Sequence, residues 1–510
     1  MKTKSELLCQ ALCTELGVFG SKPLTNYIMA LASNTTARTP TEVTLSPFYH
    51  YQFSSFSKMI AELVAQLTDE NGNFDITPLD KAIQSFVVTH NEALFFGVGV
   101  GVGVGVGTKH TLRTALDVTP VKKPSSPCLA DKSYVYCPNE TVPGNKPVEV
   151  GYAASCLNAG VDNWSIPLSM LRCSPWRTYN EIGVEQVREF AQLPQNQSVL
   201  IVNSADAGYG CPQFIAPLYP EKNLVNVARL KNRNVWVGAS RTKTGGANGV
   251  YGASYALRTE EAVSKRKNPI TKEIAEQKAS IFSLVPDKIE EYTTFTTKKK
   301  KEITVELQLY NNMMLRSTGG HNMKDKPFDL VIVSLRDTIT GEKCYQRPIY
   351  LAVCGQQRAE ISLRAAYQEH YAYRYDIEPN NRFMKQQLLL DKYQTPIAEH
   401  FDVSLRIIQL TEWLLFAAST EVVSEPKKWQ KSGDKPANDK GRLSIAQTRK
   451  AAQTLFSTFD QTPFLPQISN KGKGRVKGTT LPPKKKYPVV KKAKKAKKTP
   501  AKPVEIVNTT

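Results

Sequence analysis

Only six histidines occur in 510 residues, and the nine cysteines form no C-x-x-C pair and no Cys/His grouping at zinc-finger spacing. A structural zinc is therefore set aside, and any catalytic metal falls to hard carboxylate oxygens. The cysteines (9, 13, 128, 137, 156, 173, 211, 344 and 354) are odd in number and scattered, which reads as buried thiols in a reducing cytoplasm. No stretch supplies the roughly 18 uninterrupted apolar residues of a membrane-spanning helix, so no membrane partner is expected. Glu6, Gln10 and Glu15 interrupt the first apolar stretch, so no secretory leader is expected; Leu8, Leu12 and Phe19 suggest an amphipathic helix instead. Acidic residues fall short as well: 46 Asp and Glu stand against 67 Lys and Arg, a net charge of +21. That balance points to a polyanionic partner. Residues 471–510 hold thirteen Lys and one Arg against one Glu, so +13 of the +21 sits in this tail and +8 remains on the body.

The length admits two to four domains. Residues 1–94 read as a helical domain, with apolar residues at helical spacing over 56–67 and 79–88. Residues 95–109 form a connection in which Gly97 to Gly107 alternates Gly and Val without a break. This run is not a phosphate-binding loop: G-x-G-x-x-G needs two adjacent non-glycines, and Thr108 separates Gly107 from Lys109 where a Walker loop needs Lys directly after Gly. Residues 110–225 mix strand-like segments (111–118, 148–156, 162–172 and 198–203) with a helix over 182–192. Residues 226–358 are β-rich, with strand-like pieces at 234–240, 292–297, 303–310, 329–335 and 349–354. Lys298 to Lys301 fall at a hairpin tip, where they either touch DNA phosphates or protect an exposed edge. Trp236 reads as packing, with base stacking as the sharper alternative. Residues 359–423 end in an apolar helix over 405–418, residues 424–469 give a linker and one more helix, and residues 470–510 are Lys/Pro/Gly-rich. So little apolar content predicts a disordered tail that clamps DNA without regard to sequence.

Four residues stand out near position 380. Tyr371, Arg374, Glu378 and Lys385 lie at offsets of 0, 3, 7 and 14. At about 100° per residue they share a stripe roughly 60° wide on a helix. One acid, two cations and a phenol do not make a core face. They can hold a metal-binding carboxylate between groups that grip phosphate; equally, they can form a solvated face with an Arg374–Glu378 pair.

The spacing Y-(2)-R-(3)-E-(6)-K resembles the signature around the third catalytic carboxylate of bacterial insertion-sequence transposases of the DDE type. Upstream, Val199 to Val202 leads into Ser204-Ala205-Asp206-Ala207-Gly208-Tyr209, which is similar to the D-x-G-Y turn holding that family's second carboxylate. Leu116-Asp117-Val118-Thr119 resembles the strand bearing the first. The resemblance covers about residues 110 to 420. The resemblance implies an α/β fold: a ribonuclease-H-like catalytic core (110–225 and 359–423), a β-rich insertion before the third carboxylate (226–358), a helical N-terminal domain and a disordered basic tail. It places Asp117 and Asp206 on neighbouring strands and Glu378 on a helix beside them. These three carboxylates become the catalytic and metal-binding set for Mg²⁺, with Mn²⁺ as a substitute. Arg374 and Lys385 become phosphate-neutralising residues, and Tyr371 orients a phosphate. The implied partners are double-stranded DNA, as element ends and target, and further copies of the chain on that DNA, in a nucleoid-associated cytoplasmic setting. One departure is Pro379, directly after Glu378, followed by the poor helix formers Asn380 and Asn381. Pro379 would kink a continuous helix from 371 to 385, but it is tolerated if a helix restarts there. Two alternatives remain: a metal-dependent nuclease of the same fold, and an inactive DNA-binding remnant.

Overall fold

The computed structural model describes residues 2–90, 111–137, 147–162, 164–231, 233–238, 251–258, 279–295, 301–424, 442–459, 478–480 and 483–490. The Gly-Val run, Lys298 to Lys300 at the expected hairpin tip, most of the 424–442 linker and most of the tail lie outside these residues.

Helices open the chain: α1 (Lys4–Thr14), α2 (Lys22–Ala32), α3 (Pro40–Val43), α4 (Phe53–Gln66) and α5 (Thr77–His90). Thr3, Ser21 and Thr39 cap the first three with side-chain oxygens that accept from backbone N–H groups. A mixed sheet follows, with β1 (Thr111–Lys122), β2 (Ser133–Tyr136), β3 (Val148–Val161) and β4 (Trp164–Cys173). Helix α6 (Tyr179–Gln192), closed by a Thr178/Glu181 capping box, leads to β5 (Leu200–Ala205), α7 (Pro212–Leu218) and β6 (Leu224–Arg229). Next come β7 (Asn234–Gly238), β8 (Tyr251–Ala256), β9 (Lys288–Phe295), β10 (Glu302–Met314), β11 (Phe328–Asp337) and β12 (Ile349–Cys354). Helices α8 (Ile377–Gln386), α9 (Ala398–Ala418) and α10 (Ile445–Ser457) complete the described elements. None of the described helices is long and apolar enough to cross a membrane.

The strand order is β2-β3-β1-β5-β6-β12-β11-β10-β7-β8, with β4 also on β3 and β9 also on β10. Strands β4, β3 and β1 run antiparallel, whereas β1, β5 and β6 are mutually parallel. All six residues of β5 are buried, as befits a parallel strand covered on both faces. Strand β12 pairs antiparallel with β6, so the strands of the 226–358 region extend the same sheet. At its far side Lys301 forms an ion pair with Asp337, and Trp236 packs against Tyr251 with ring centroids 5.9 Å apart.

Helix α9 is buried on nearly every side: 19 of its 21 residues are buried, Asp402, Arg406, Gln409 and Glu412 among them. Strand β4 covers one side, while α1, α2, α4 and α10 cover the others. The N-terminal helices therefore share one continuous core with β3, β4, α8 and α9. The sequence suggested a separate helical domain, but the second apolar face of α9 draws those helices in. Arg406 of α9 is 2% exposed and donates to both Asp80 carboxylate oxygens of α5, at 2.8 and 2.5 Å. Asp80→Asn removes the carboxylate charge paired with that guanidinium and leaves it the Asp402 carbonyl, which accepts from Nη1 at 3.3 Å, and the nearby Asp402 carboxylate. Unfolding in urea should then come at a lower midpoint, with a loss of about 1–3 kcal/mol in stability, because water still reaches Asp80. An unchanged midpoint would remove Asp80 from the account of how α5 is held.

Within the tail, the described residues 483–490 lie along the edge of the fold. Tyr487 donates its N–H to the Pro127 carbonyl at 3.2 Å, Val490 donates to that of Lys132 at 2.8 Å, and Val490 bridges Ser133 in the parallel sense. The lysines around them mask a short apolar run, Tyr487-Pro488-Val489-Val490, which cannot form a core but can lie along an existing edge.

Candidate active site

Strands β1 and β5 run in parallel register, with Leu116 beside Ala205. The next residue on each is an aspartate. Asp117 continues β1, and Asp206 follows the last residue of β5, at the carboxyl end where open α/β sheets place their ligands. After Asp206 the chain turns sharply, with the Tyr209 N–H donating to the Asp206 carbonyl at 2.9 Å. Gly210 is required in this turn, and the space at Gly208 is tight. A Cβ on Gly208 would sit 3.2 Å from the Tyr179 hydroxyl, and one on Gly210 only 2.1 Å from the Arg229 carbonyl oxygen. Tyr209 itself is buried between Tyr179 and Phe214.

Residues 365–386 bring the remaining groups to these aspartates without forming one regular helix. The chain is a π-helix over Ala365–Tyr371, a 3₁₀-helix over Ala372–Asp376 and an α-helix from Ile377. Pro379 is the third residue of α8. Its missing N–H belongs to the first turn, where no intrahelical partner exists, so no hydrogen bond is lost. The single 60° stripe of the sequence reading therefore does not exist, yet its members stay together, because the wide π turn and the tight 3₁₀ turn reset the register.

Arg374, 4% exposed, donates from Nη2 to Glu378 Oε1 at 3.2 Å and lies 4.4 Å over the Tyr375 ring. Burial opposes its charge, but the surrounding Tyr371, Asp206 and Asp117 hold its guanidinium above the usual range. Burial also pushes Asp117 up to about 6; Arg374 and the Val118 N–H pull against that rise, and the charges of Asp206 and Glu378 add to it. The three carboxylates thus share one field, with Arg374 as their common counterion. Lys385, half-buried on α8, is lowered by burial and held up by Asp391, Cys137, Cys156 and Asp117.

Two expected roles need correction. Tyr371 is 0% exposed, packed in the core beneath β5, β6 and β12, and its hydroxyl has no hydrogen-bond partner among the described residues. It cannot orient a phosphate from there. Arg374 faces the acids rather than solvent, which does not fit the expected contact with a phosphate backbone. Lys385 and the half-exposed Glu378 are the members that remain open to solvent.

Other groups at the site gave no functional signal in the sequence. Asn381 of α8 donates from Nδ2 to Asp117 Oδ2 at 3.3 Å, and Asn380 donates to Glu412 of α9 at 3.0 Å. Arg113 lies 3.6 Å over the exposed Tyr373 ring and donates to the carbonyls of Glu369 and Gly160. The Asn381–Asp117 contact joins residues 264 positions apart, and composition carries no trace of it.

The possible metal donors around Asp117 are the carboxylate oxygens of Asp117, Asp206 and Glu378, the hard type that suits Mg²⁺ or Mn²⁺. Among the described residues no three His, Cys, Asp or Glu side chains are gathered into a ready-made metal cage. Glu378 is instead turned to Arg374.

The raised Asp117 value has a measurable cost. Folding lifts this carboxyl from the ordinary 3.8 to about 6, so the metal-free folded chain binds the proton more tightly than the unfolded one. Its contribution is most favourable at low pH and is lost as pH rises from about 4 through 6, on the order of 2–3 kcal/mol. Asp117→Asn removes the penalty. In EDTA at pH 7.5 the variant should melt a few degrees above the wild type, and the gap should close at pH 4. A variant melting at or below the wild type at pH 7.5 would contradict the burial of charge at this position.

No family model matches the chain, and no curated protein matches it.

Proposed function

We propose that the chain is a DDE-type transposase that cleaves DNA at insertion-sequence ends and joins them to a target, using Mg²⁺ held by Asp117, Asp206 and Glu378. The observation that carries this is the electrostatic coupling of the three acids around Arg374. Asp117 lies within β1 and Asp206 directly follows the end of the adjacent parallel β5, one residue past the Leu116–Ala205 pair, and Glu378, 172 positions beyond Asp206, enters the same electrostatic field. The strand order supports a ribonuclease-H-like core: three antiparallel strands (β4, β3, β1), then a helix, then parallel β5 and β6. The β-rich stretch falls between β6 and the helix bearing Glu378, where the resemblance asks for an insertion.

When bound, the divalent ions supply charge stabilisation at the scissile phosphate and an activated nucleophile. The chain's own residues do the rest. The acids present oxygen donors, Arg374 keeps Glu378 in place, and Lys385 meets a phosphate. The basic tail adds contacts that carry no base specificity. In the first step water oxygen bonds to phosphorus and the 3′ oxygen departs as a hydroxyl. In the second, that hydroxyl attacks a phosphodiester of the target, and another 3′ oxygen leaves. Double-stranded DNA is the partner, and two ends on one target call for more than one copy of the chain.

The test is incubation of the purified chain with linear DNA carrying the repeats that flank its gene, a target plasmid and Mg²⁺. Nicked ends together with joined products support transposition. Nicks without joining indicate a nuclease, and binding without any cut indicates an inactive remnant.

A further inference from the structure

Asn380 and Asn381 are an expensive choice in the first turns of α8. Both are poor helix formers, and both carry carboxamides buried to within 6% exposure. Leucine at either position would favour the helix and the core. Their partners explain the choice. Asn381 Nδ2 donates to Asp117 Oδ2, and Asn380 Nδ2 donates to Oε2 of Glu412, itself 1% exposed on α9. The arrangement leaves Asn381 Oδ1 and Glu412 Oε1 buried without a hydrogen-bond partner among the described residues, a further cost to stability.

We infer that Asn381 is a positioning residue for Asp117, and that the Asn380–Glu412 bond fixes the helix turn from which it acts. An amide suits this task. It fixes one carboxylate oxygen without adding charge, whereas a lysine would compete with a bound cation and an acid would repel Asp117. Holding Oδ2 removes one rotatable choice from Asp117 and leaves Oδ1 unclaimed by Asn381. The adjacent Asn380 ties the same turn to α9, whose burial on all sides makes it the most rigid support nearby. The turn carrying Glu378 is thus locked to β1 on one side and α9 on the other. Residues that hold a metal-binding side chain in this way influence metal affinity without touching the ion, typically by about 10- to 100-fold.

The inference rests on the carboxylates being the metal site, and the experiment separates the two. Mn²⁺ binding to the full-length chain is followed by the loss of the free-ion electron paramagnetic resonance signal, alongside thermal melting. Asn381→Leu should melt no lower than the wild type, while the Mn²⁺ concentration for half-saturation rises about 10- to 100-fold. If Asn381→Leu misfolds, Asn381→Ala must show the same rise. Glu412→Leu should raise half-saturation several-fold, and Glu412→Gln, which can still accept from Asn380, should restore it. The Asn380→Leu/Glu412→Leu double variant should bind no worse than the poorer single one, because both lose one bond. A merely structural role would lower the melting temperature and leave half-saturation within twofold, which overturns the inference. Asp117→Asn serves as reference. If it abolishes Mn²⁺ binding and the Asn381 variants do not weaken it, the positioning role fails and the carboxylate site stands. If it leaves binding unchanged, the carboxylate site itself is wrong.

Discussion

Replacing Asp117 or Asp206 by Asn, or Glu378 by Gln, will lower Mg²⁺-dependent cleavage of end DNA by about a thousandfold. Each change keeps the shape of the side chain and removes one charged oxygen ligand. Metal ions in such sites contribute several kcal/mol of transition-state stabilisation, and each 1.36 kcal/mol is a factor of about ten in rate. On the proposed function, end-DNA affinity will stay within a few-fold, because the acids repel phosphate and the proposed DNA contacts are cations such as Lys385. The three variants will nevertheless differ in stability. Asp117 carries the burial penalty and gains from losing its charge, whereas Glu378→Gln takes from Arg374 its one direct carboxylate contact. A cleavage rate within twofold of wild type in any one of the three removes that residue from the metal set.

Much of the core was legible because its signals are local. The apolar run ending at Val202 and the turn after Asp206 mark a buried strand and its exit, and the glycines of that turn have steric reasons that single positions reveal. The mixed α/β class followed from alternating strand and helix patterns over residues 110–225. What stayed hidden depends on distant pairings. The shared core of α1, α2, α4 and α9 could not be read, because an apolar N-terminal helix looks the same whether it packs on its neighbours or on a helix about 400 residues away. The π and 3₁₀ turns before α8 have no sequence code of their own, so the even stripe from Tyr371 to Lys385 was drawn on a helix that does not form. That error of geometry became an error of role. An ideal helix turns Tyr371 and Arg374 outward with Glu378, while the actual chain buries both. Asn380 and Asn381 were visible only as poor helix formers, and their value lies in contacts made across 264 and 32 positions.

The burial of Arg374 leads to the second large effect. Arg374→Ala removes the common counterion of three acids from a place that water hardly reaches. With the metal absent, Asp117 loses the strongest interaction that opposes its upward shift, and Glu378 loses its partner. Water screens the half-exposed Glu378, so the loss should cost less than the roughly 3–5 kcal/mol of a fully buried pair, and the variant should still melt below the wild type in EDTA. A divalent cation can supply the missing positive charge. Saturating Mn²⁺ should therefore raise the melting temperature of Arg374→Ala by clearly more than it raises that of the wild type, since a ligand that binds only the folded state stabilises it according to its affinity there. Arg374→Lys keeps the charge but loses the planar fork that reaches Glu378 and stacks on Tyr375, and it should fall between the two. If Arg374 instead gripped the DNA backbone, the substitution would lower end-DNA affinity and reduce its salt dependence by about one phosphate contact, while the Mn²⁺-induced gain in melting temperature stayed at the wild-type value. Melting with and without Mn²⁺, beside DNA binding over a range of salt, separates these outcomes. A wild-type Mn²⁺ increment in Arg374→Ala would mean that its charge is not coupled to the carboxylates.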